Sequence, residues 1–321
     1  MSEIDIAFLK IKDIIRAEDH HSTFYKIFVE HESGYWRMKM QKLNNQEKAE
    51  LEKMAVQNRK SVLRLMKASR AGHIGGALSA IDIITALYFK IMRVDPKNPH
   101  WPQRDRFVLS AGHKCLALYA TLAEKGFFDH TILDTYGALC SRLGGHPDMY
   151  KVPGVETNTG ALGHGLSIAG GMAMGLRMDG LDARVYVVMG DGELAEGSNW
   201  EAAAAASHHK LDNLLVFVDR NHLQISGKTV DVMSYEPLDK RWQAFGWSVR
   251  EIDGHDFKQI VENATDFPFE KGKPSVIIAD TVKSKGLSFA EDKADYHYWK
   301  ATDEDLAIAE QELDEIEERI S

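Results

Sequence analysis

The residues best equipped for chemistry lie between Arg184 and Gly227, in the run RVYVVMGDGELAEGSNWEAAAAASHHKLDNLLVFVDRNHLQISG. Arg184 to Met189 is nearly continuous in apolar character, as expected of a strand buried on both faces. Gly190-Asp191-Gly192 follows at the C-terminal end of that strand, and a helix begins soon after. Ligands of open α/β sheets sit at such strand ends. Glycines let backbone amides approach an anionic group, and a helix N-terminus adds a favourable dipole. Asp191, between two glycines, is an unshielded carboxylate. The next apolar run, Leu214 to Val218, ends in Asp219-Arg220-Asn221. If the two strands are neighbours, Asn221 offers a neutral amide oxygen beside Asp191. One carboxylate, one amide oxygen, one backbone carbonyl and phosphate oxygens suit a hard cation such as Mg²⁺.

Two better-known phosphate motifs fail here. The dinucleotide fingerprint needs a third glycine where Ala195 stands, and the P-loop spacing from Gly192 to Gly197 is followed by Ser198-Asn199 instead of Lys and Ser/Thr. Asp191 also has a plainer reading as a helix cap. An Asn at a second strand end, 29 positions after Gly192 (221 − 192), favours ligation. His73, His113 and His146 each sit beside a glycine; a single histidine of that kind is more often structural. His208-His209 has no partner at metal spacing, and Cys115 reads as a small packed residue.

The elements that must position these groups fit an ordinary soluble chain. Its 321 residues, 44% hydrophobic and 27% charged, allow two domains or one large α/β unit and exclude wholesale disorder. A net charge of −9 argues against non-specific nucleic-acid binding. No apolar run approaches the roughly 18 residues of a membrane span, and the N-terminus lacks the apolar core of a signal peptide. Two cysteines, Cys115 and Cys140, make neither a disulfide framework nor a zinc cluster. The expectation is a cytoplasmic enzyme or subunit with no membrane or nucleic-acid partner.

Residues 1–46 read as a helical arm, with an apolar stripe of Ile4, Phe8, Ile11 and Ile15, broken at His31 to Gly34. Helices are expected over Gln46 to Ala68, Ser79 to Phe89, Leu162 to Met178, Trp200 to His208, Pro237 to Phe245 and Phe257 to Thr265. Strands are expected at Arg106 to Leu109, Arg184 to Met189, Leu214 to Val218, Trp247 to Ile252 and Ser275 to Ala279. Alternation of this kind predicts an α/β fold, a doubly wound, mostly parallel sheet with helices on both faces. That domain spans residues 47–300, and residues 301–321 carry an acidic, solvated C-terminal helix.

GDG followed by a helix, a strand and Asn resembles the thiamine-diphosphate motif. From about Leu51 to Lys300 the chain resembles the N-terminal half of transketolases. Gly72-His73 to Ser79, Asp105 to His113, Gly144-Gly-His146-Pro147, Thr159 to Gly165, and Thr281-Val-Lys283-Ser-Lys-Gly286 with His297 carry the likeness in order. The resemblance implies the thiamine-diphosphate-binding fold. It implies that Asp191, Asn221 and the carbonyl of Leu223 ligate Mg²⁺, or another divalent cation such as Ca²⁺ or Mn²⁺. Gly160, Ala161, Leu162, Gly192, His113, Lys283 and His297 would surround the cofactor, with Asp191 and Asn221 holding it through the metal. His73, His113, His146 and His297 would line the catalytic pocket, and Glu196 would join a carboxylate network linking paired active sites. Such an enzyme moves a two-carbon ketol unit from a ketose (a sugar phosphate or analogue) to an aldose, through a carbanion held by the cofactor. Histidines with pKa near neutrality would serve its proton transfers.

Full-length transketolases continue with a second half that binds the aminopyrimidine and supplies an activating glutamate. The resemblance therefore implies one subunit of a split transketolase, in a heterotetramer with a partner carrying that half. Tyr298-Trp299 stands where the family usually follows the last histidine with glycine, so both aromatics are expected at the pocket rim. The alternatives are an α-type subunit of a 2-oxo-acid dehydrogenase-like enzyme, which does not usually carry the His113 and His146 loops, and a non-catalytic cofactor-binding scaffold.

Overall fold

The computed structural model describes residues 42–320. The chain divides into two units, Met1–Lys39 and Met40–Ser321, and the described residues belong to the second. The N-terminal arm, with its Ile4, Phe8, Ile11 and Ile15 stripe, lies outside the described residues, apart from the last few positions of 1–46.

Five strands form one parallel sheet: β1 (Arg106–Leu109), β2 (Val185–Gly190), β3 (Leu214–Arg220), β4 (Ser248–Asp253) and β5 (Ser275–Asp280), in the order β1-β2-β3-β5-β4. β2 is buried at every position and β3 at all but its last, as their unbroken apolar runs require of a sheet covered on both faces. The sheet separates two apolar cores. One packs under α1 (Asn45–Ser69), α2 (Ile74–Ala86), α3 (Cys115–Lys125) and α7 (Phe257–Thr265). The other packs under α4 (Gly165–Met178), α5 (Gly197–His208) and α6 (Leu238–Ala244). Register places Gly190 opposite Asp219 and Arg220 opposite Asp280, so the three central strands deliver their C-terminal loops to one edge.

α1 starts with a reciprocal cap. Glu47 N–H donates to Asn44 Oδ1 at 2.9 Å, and Asn44 N–H donates to the Glu47 carboxylate at 3.1 Å. α2 begins at Ile74, five residues before the expected Ser79, because Gly75 and Gly76 serve as its first turn instead of preceding it.

Two expectations need correction. The C-terminal helix, α8 (Asp303–Ile320), is not merely solvated: Leu306, Ala309 and Leu313 are buried. Its acidic face pairs with α1 through Lys60 to Asp314 and Glu317 and through Lys67 to Glu310. In sequence, the surrounding glutamates dilute this apolar stripe and hide it. Secondly, Ile74–Ile91 is by length and composition apolar enough to cross a bilayer, with a mean hydropathy of 1.5. It is 89% buried, which makes it the central core helix of the described domain.

Candidate active site

At the end of β2, the buried Asp191 carboxylate accepts from Gly192 N–H and His222 N–H, each at 2.8 Å. The capping reading and the ligand reading therefore share one side chain. Asn221 is also buried; its Oδ1 accepts from Leu223 N–H at 3.2 Å, and its Nδ2 faces Ser79 Oγ at 3.3 Å. Burial, reinforced by the Asp219 carboxylate, pushes Asp191 up to about 6. Negative charge is in excess at this end of the site.

Lys114 and Asp219 form the floor. Both are buried, and Lys114 Nζ donates to Asp219 Oδ2 at 2.5 Å. Asp219 also accepts from Ser79 Oγ at 2.6 Å and from Thr281 Oγ1. Burial opposes its charge, yet Lys114 and these donors hold its carboxyl below the usual range. Across the floor, Lys283 is buried, and a Cβ on Gly75 would come within 2.9 Å of its Cε, so only glycine admits the lysine stem here. Burial and Lys114 lower Lys283 to about 8. Among the described residues no carboxylate forms an ion pair with it; its partner is His297 Nδ1 at 3.2 Å.

Four imidazoles gather above. The ring of His73 lies 5.3 Å from His113, 5.4 Å from His297 and 6.3 Å from His146, and His113 lies 5.3 Å from His297. Sequence separations of more than 200 residues are closed by different routes: His73 caps α2, His113 follows β1, and His297 ends a short turn before the strand pair with Gly72. α3 holds the His146 loop in place: Tyr119 O–H donates to the His146 carbonyl at 2.8 Å, and Cys115 S–H reaches the Gly145 carbonyl at 3.1 Å. Burial pushes the Cys115 thiol up to about 12, so it acts as the packed residue expected.

The expectation of near-neutral histidines is not met by the chain on its own. Burial and Lys114 lower His113 to about 2; burial and Lys283 lower His297 to about 4; burial, His146 and Lys283 lower His73. These rings stand neutral, each with one donor and one acceptor nitrogen. An anion bound beside Lys114 and Lys283 would raise them towards the physiological range.

Gly160, Leu162, Asp191, Gly192, Asn221, Leu223, Lys283, His73, His113 and His297 all border one cavity of about 430 Å³. His146 stands beside it, exposed, against His73. Ala161 is exposed and does not border the cavity. Glu196 stands at the N-cap of α5 and stays outside the histidine cluster and the cavity border. Trp299 is not at the rim. It is buried against Phe289 and Tyr296, in a two-residue strand paired with Gly72, while Tyr298 alone meets His73, ring to ring at 4.8 Å. Tyr298 precedes that strand in extended conformation (φ −128°, ψ 103°), and adjacent extended residues point to opposite sides, which sends one aromatic inward and one to the pocket.

Sequence reasoning missed Lys114, Asp219 and Glu193. Glu193 is buried and accepts from Ser110 Oγ, from Gly163 N–H at 3.0 Å and from Gly190 N–H at 3.2 Å, tying the cofactor loop to the end of β2. The usable signal was an acid closing an unbroken apolar strand, which Asp219 does.

A family model described as "Transketolase, thiamine diphosphate binding domain" matches residues 51–315. The chain belongs to the transketolase family. Among its relatives, one of the subunits of an apulose-4-phosphate transketolase from Phocaeicola vulgatus is 48% identical over 270 residues, covering 84% of this chain and 96% of that one. A 6-deoxy-6-sulfo-D-fructose transketolase subunit, SqwG, from Clostridium sp. is 43% identical, over 84% of this chain and 98% of that one. The transketolase of Campylobacter jejuni superposes with a TM-score of 0.77 at 30% identity, covering 87% of this chain and 46% of that one. This transketolase-family chain thus spans under half the length of that solved transketolase.

The site fits a metal-bound diphosphate. Asp191 brings a negative charge, Lys283 a positive one, and the cavity joins them. No group of three His, Cys, Asp or Glu side chains suited to a metal occurs among the described residues. A set of one carboxylate and two neutral oxygens would leave coordination positions for phosphate oxygens.

Proposed function

We propose that this chain is the cofactor-binding subunit of a split transketolase that moves a two-carbon ketol unit from a ketose to an aldose, with a separate aminopyrimidine-binding subunit. The observation that carries the reading is the gathering of His73, His113, His146 and His297 at a cavity lined by Asp191, Asn221 and Lys283. Asp191, Asn221 and the Leu223 carbonyl would hold Mg²⁺, and Lys283 with His113 would face the diphosphate. Bound there, thiamine diphosphate supplies the nucleophile and the electron sink for cleaving the carbon–carbon bond next to a ketose carbonyl. His73 and His146 would donate to the carbonyl oxygen and accept the proton of the neighbouring hydroxyl, each positioned within the cluster. The relatives' names, a ketose 4-phosphate and a 6-sulfo ketose, support a donor with an anionic substituent.

Asp191→Asn and Asn221→Ala should each weaken Mg²⁺-dependent thiamine-diphosphate binding by at least about 100-fold, since outer-shell partners alone are typically worth 10–100-fold. Calorimetry with Mg²⁺ present is the measurement; unchanged affinity in both variants removes the metal site from this loop.

Affinity should also pass through a maximum with pH. Ligation needs the Asp191 carboxylate deprotonated, and burial holds its pKa at about 6, so affinity falls as pH drops below that value. Lys283 must be protonated to meet the diphosphate, and burial holds it at about 8, so affinity falls again as pH rises above that value. Lys283→Met should flatten the alkaline limb and leave the acid limb intact. A wild-type alkaline limb that persists in Lys283→Met assigns it to another group.

A further inference from the structure

Lys283 sits on a turn closed by local bonds, Lys285 N–H to the Val282 carbonyl at 3.2 Å and Gly286 N–H to the Glu291 carboxylate at 3.0 Å, and tied to the rest of the fold by anchors from distant elements. Thr281 N–H donates to the Arg220 carbonyl at 3.1 Å, and Ser284 N–H to the Gly75 carbonyl at 3.0 Å. Asp292 N–H donates to the Lys283 carbonyl at 3.0 Å. Two further anchors belong to a largely buried polar chain outside the cavity. Val282 N–H donates to His255 Nε2 at 2.9 Å, and Arg59 Nε donates to the Lys285 carbonyl at 3.1 Å.

These two anchors are joined. His255 Nδ1 lies 2.7 Å from Asp82 Oδ2, and Arg59 grips Asp82 through two bonds, at 2.7 and 2.8 Å. Because Nε2 of His255 faces a backbone N–H it must accept, so the proton resides on Nδ1 and is donated to Asp82. Burial disfavours charge on Asp82, but Arg59 and His255 hold its carboxyl well below the usual range. The close seat of His255 depends on Gly254, where a Cβ would meet Thr281 Cγ2 within van der Waals radii.

We propose that Arg59, Asp82 and His255 are positioning residues: a buried clamp from α1, α2 and the loop after β4 that grips the Lys283 turn on both sides and aims the ammonium into the cavity. None of the three borders the cavity. Their effect on diphosphate binding is transmitted through backbone hydrogen bonds to Val282 and Lys285. This rests on the reading of Lys283 as a diphosphate ligand.

The test uses two substitutions that each keep half of the imidazole's bonding. His255→Gln retains an acceptor near the Nε2 position for Val282 N–H. His255→Asn retains a donor near the Nδ1 position for Asp82 and loses the acceptor. In the full-length chain, hydrogen exchange of residues 281–286 without cofactor should speed up in His255→Asn and stay slow in His255→Gln. Thiamine-diphosphate affinity with Mg²⁺, measured calorimetrically, should fall by about tenfold or more in His255→Asn, the range for outer-shell partners, and hold in His255→Gln. Thermal stability should fall in both, so a purely structural role predicts equal affinity losses and is overturned by the split. Slow exchange and intact affinity in His255→Asn overturn the clamp. Lys283→Met is the control: intact affinity there defeats the diphosphate reading itself, and with it the aiming role.

Discussion

His73→Ala should lose ketol transfer by about 10²–10⁴-fold while thiamine-diphosphate affinity changes little, the range expected for a positioned proton-transfer group. The geometry separates the two functions. His73 is the N-cap of α2 and stands among His113, His146 and His297, whereas the proposed metal ligands sit at the ends of β2 and β3. Burial, His146 and Lys283 lower its pKa, so it presents a neutral ring to a hydroxyl or carbonyl. His146→Ala should show the same split, since its ring packs against His73 and does not border the cavity that Asp191 and Asn221 line. Steady-state turnover of the reconstituted enzyme and calorimetry on each variant give the comparison. A drop of less than about tenfold in turnover, or a matching drop in cofactor affinity, would falsify the catalytic assignment for that histidine.

Much of this site is legible in sequence because its signals are local. β2 and β3 announce themselves as unbroken apolar runs that end abruptly in Gly190-Asp191-Gly192 and Asp219-Arg220-Asn221. Glycine beside His73, His113 and His146 marks loops pressed against something else. What stays hidden depends on contacts made across long separations. Lys114 reads as surface until β3 delivers Asp219, 105 positions later, to its ammonium. His255 reads as a loop residue until Asp82, 173 positions earlier, meets its ring. Trp299 reads as a rim residue because a run of two aromatics carries no sign of which faces inward. Its strand pairing with Gly72 decides that. The low pKa of His113 and His297 is equally invisible: it comes from burial and from two lysines that the sequence does not show to be nearby.

The largest effect should come from adding a second protein. Alone, with saturating Mg²⁺ and thiamine diphosphate, this chain should show no measurable ketol transfer; with a partner bearing the aminopyrimidine-binding half, activity should appear and saturate near equal subunit numbers. Activating this cofactor requires a carboxylate at the aminopyrimidine, in the family pattern, and the carboxylates bordering the cavity are already committed. Asp191 accepts from two backbone amides, and Glu193 is buried and accepts from Ser110, Gly163 and Gly190. Glu196 lies outside the cavity border, at the start of α5, where another chain can reach it. Ile225, 73% exposed on the cavity border, and Val230 and Met233, more than half exposed in and just after the short helix Thr229–Val232, leave apolar side chains in solvent on the segment that follows the site. Single exposed apolar residues are ordinary, but several on one segment at a site's edge are the kind of surface a partner covers. Glu196→Gln should then weaken activity only in the assembled enzyme, with cofactor binding by the isolated chain unchanged. Robust turnover by the purified chain alone, once host transketolase is excluded, would place the activating carboxylate within this chain and overturn the split arrangement.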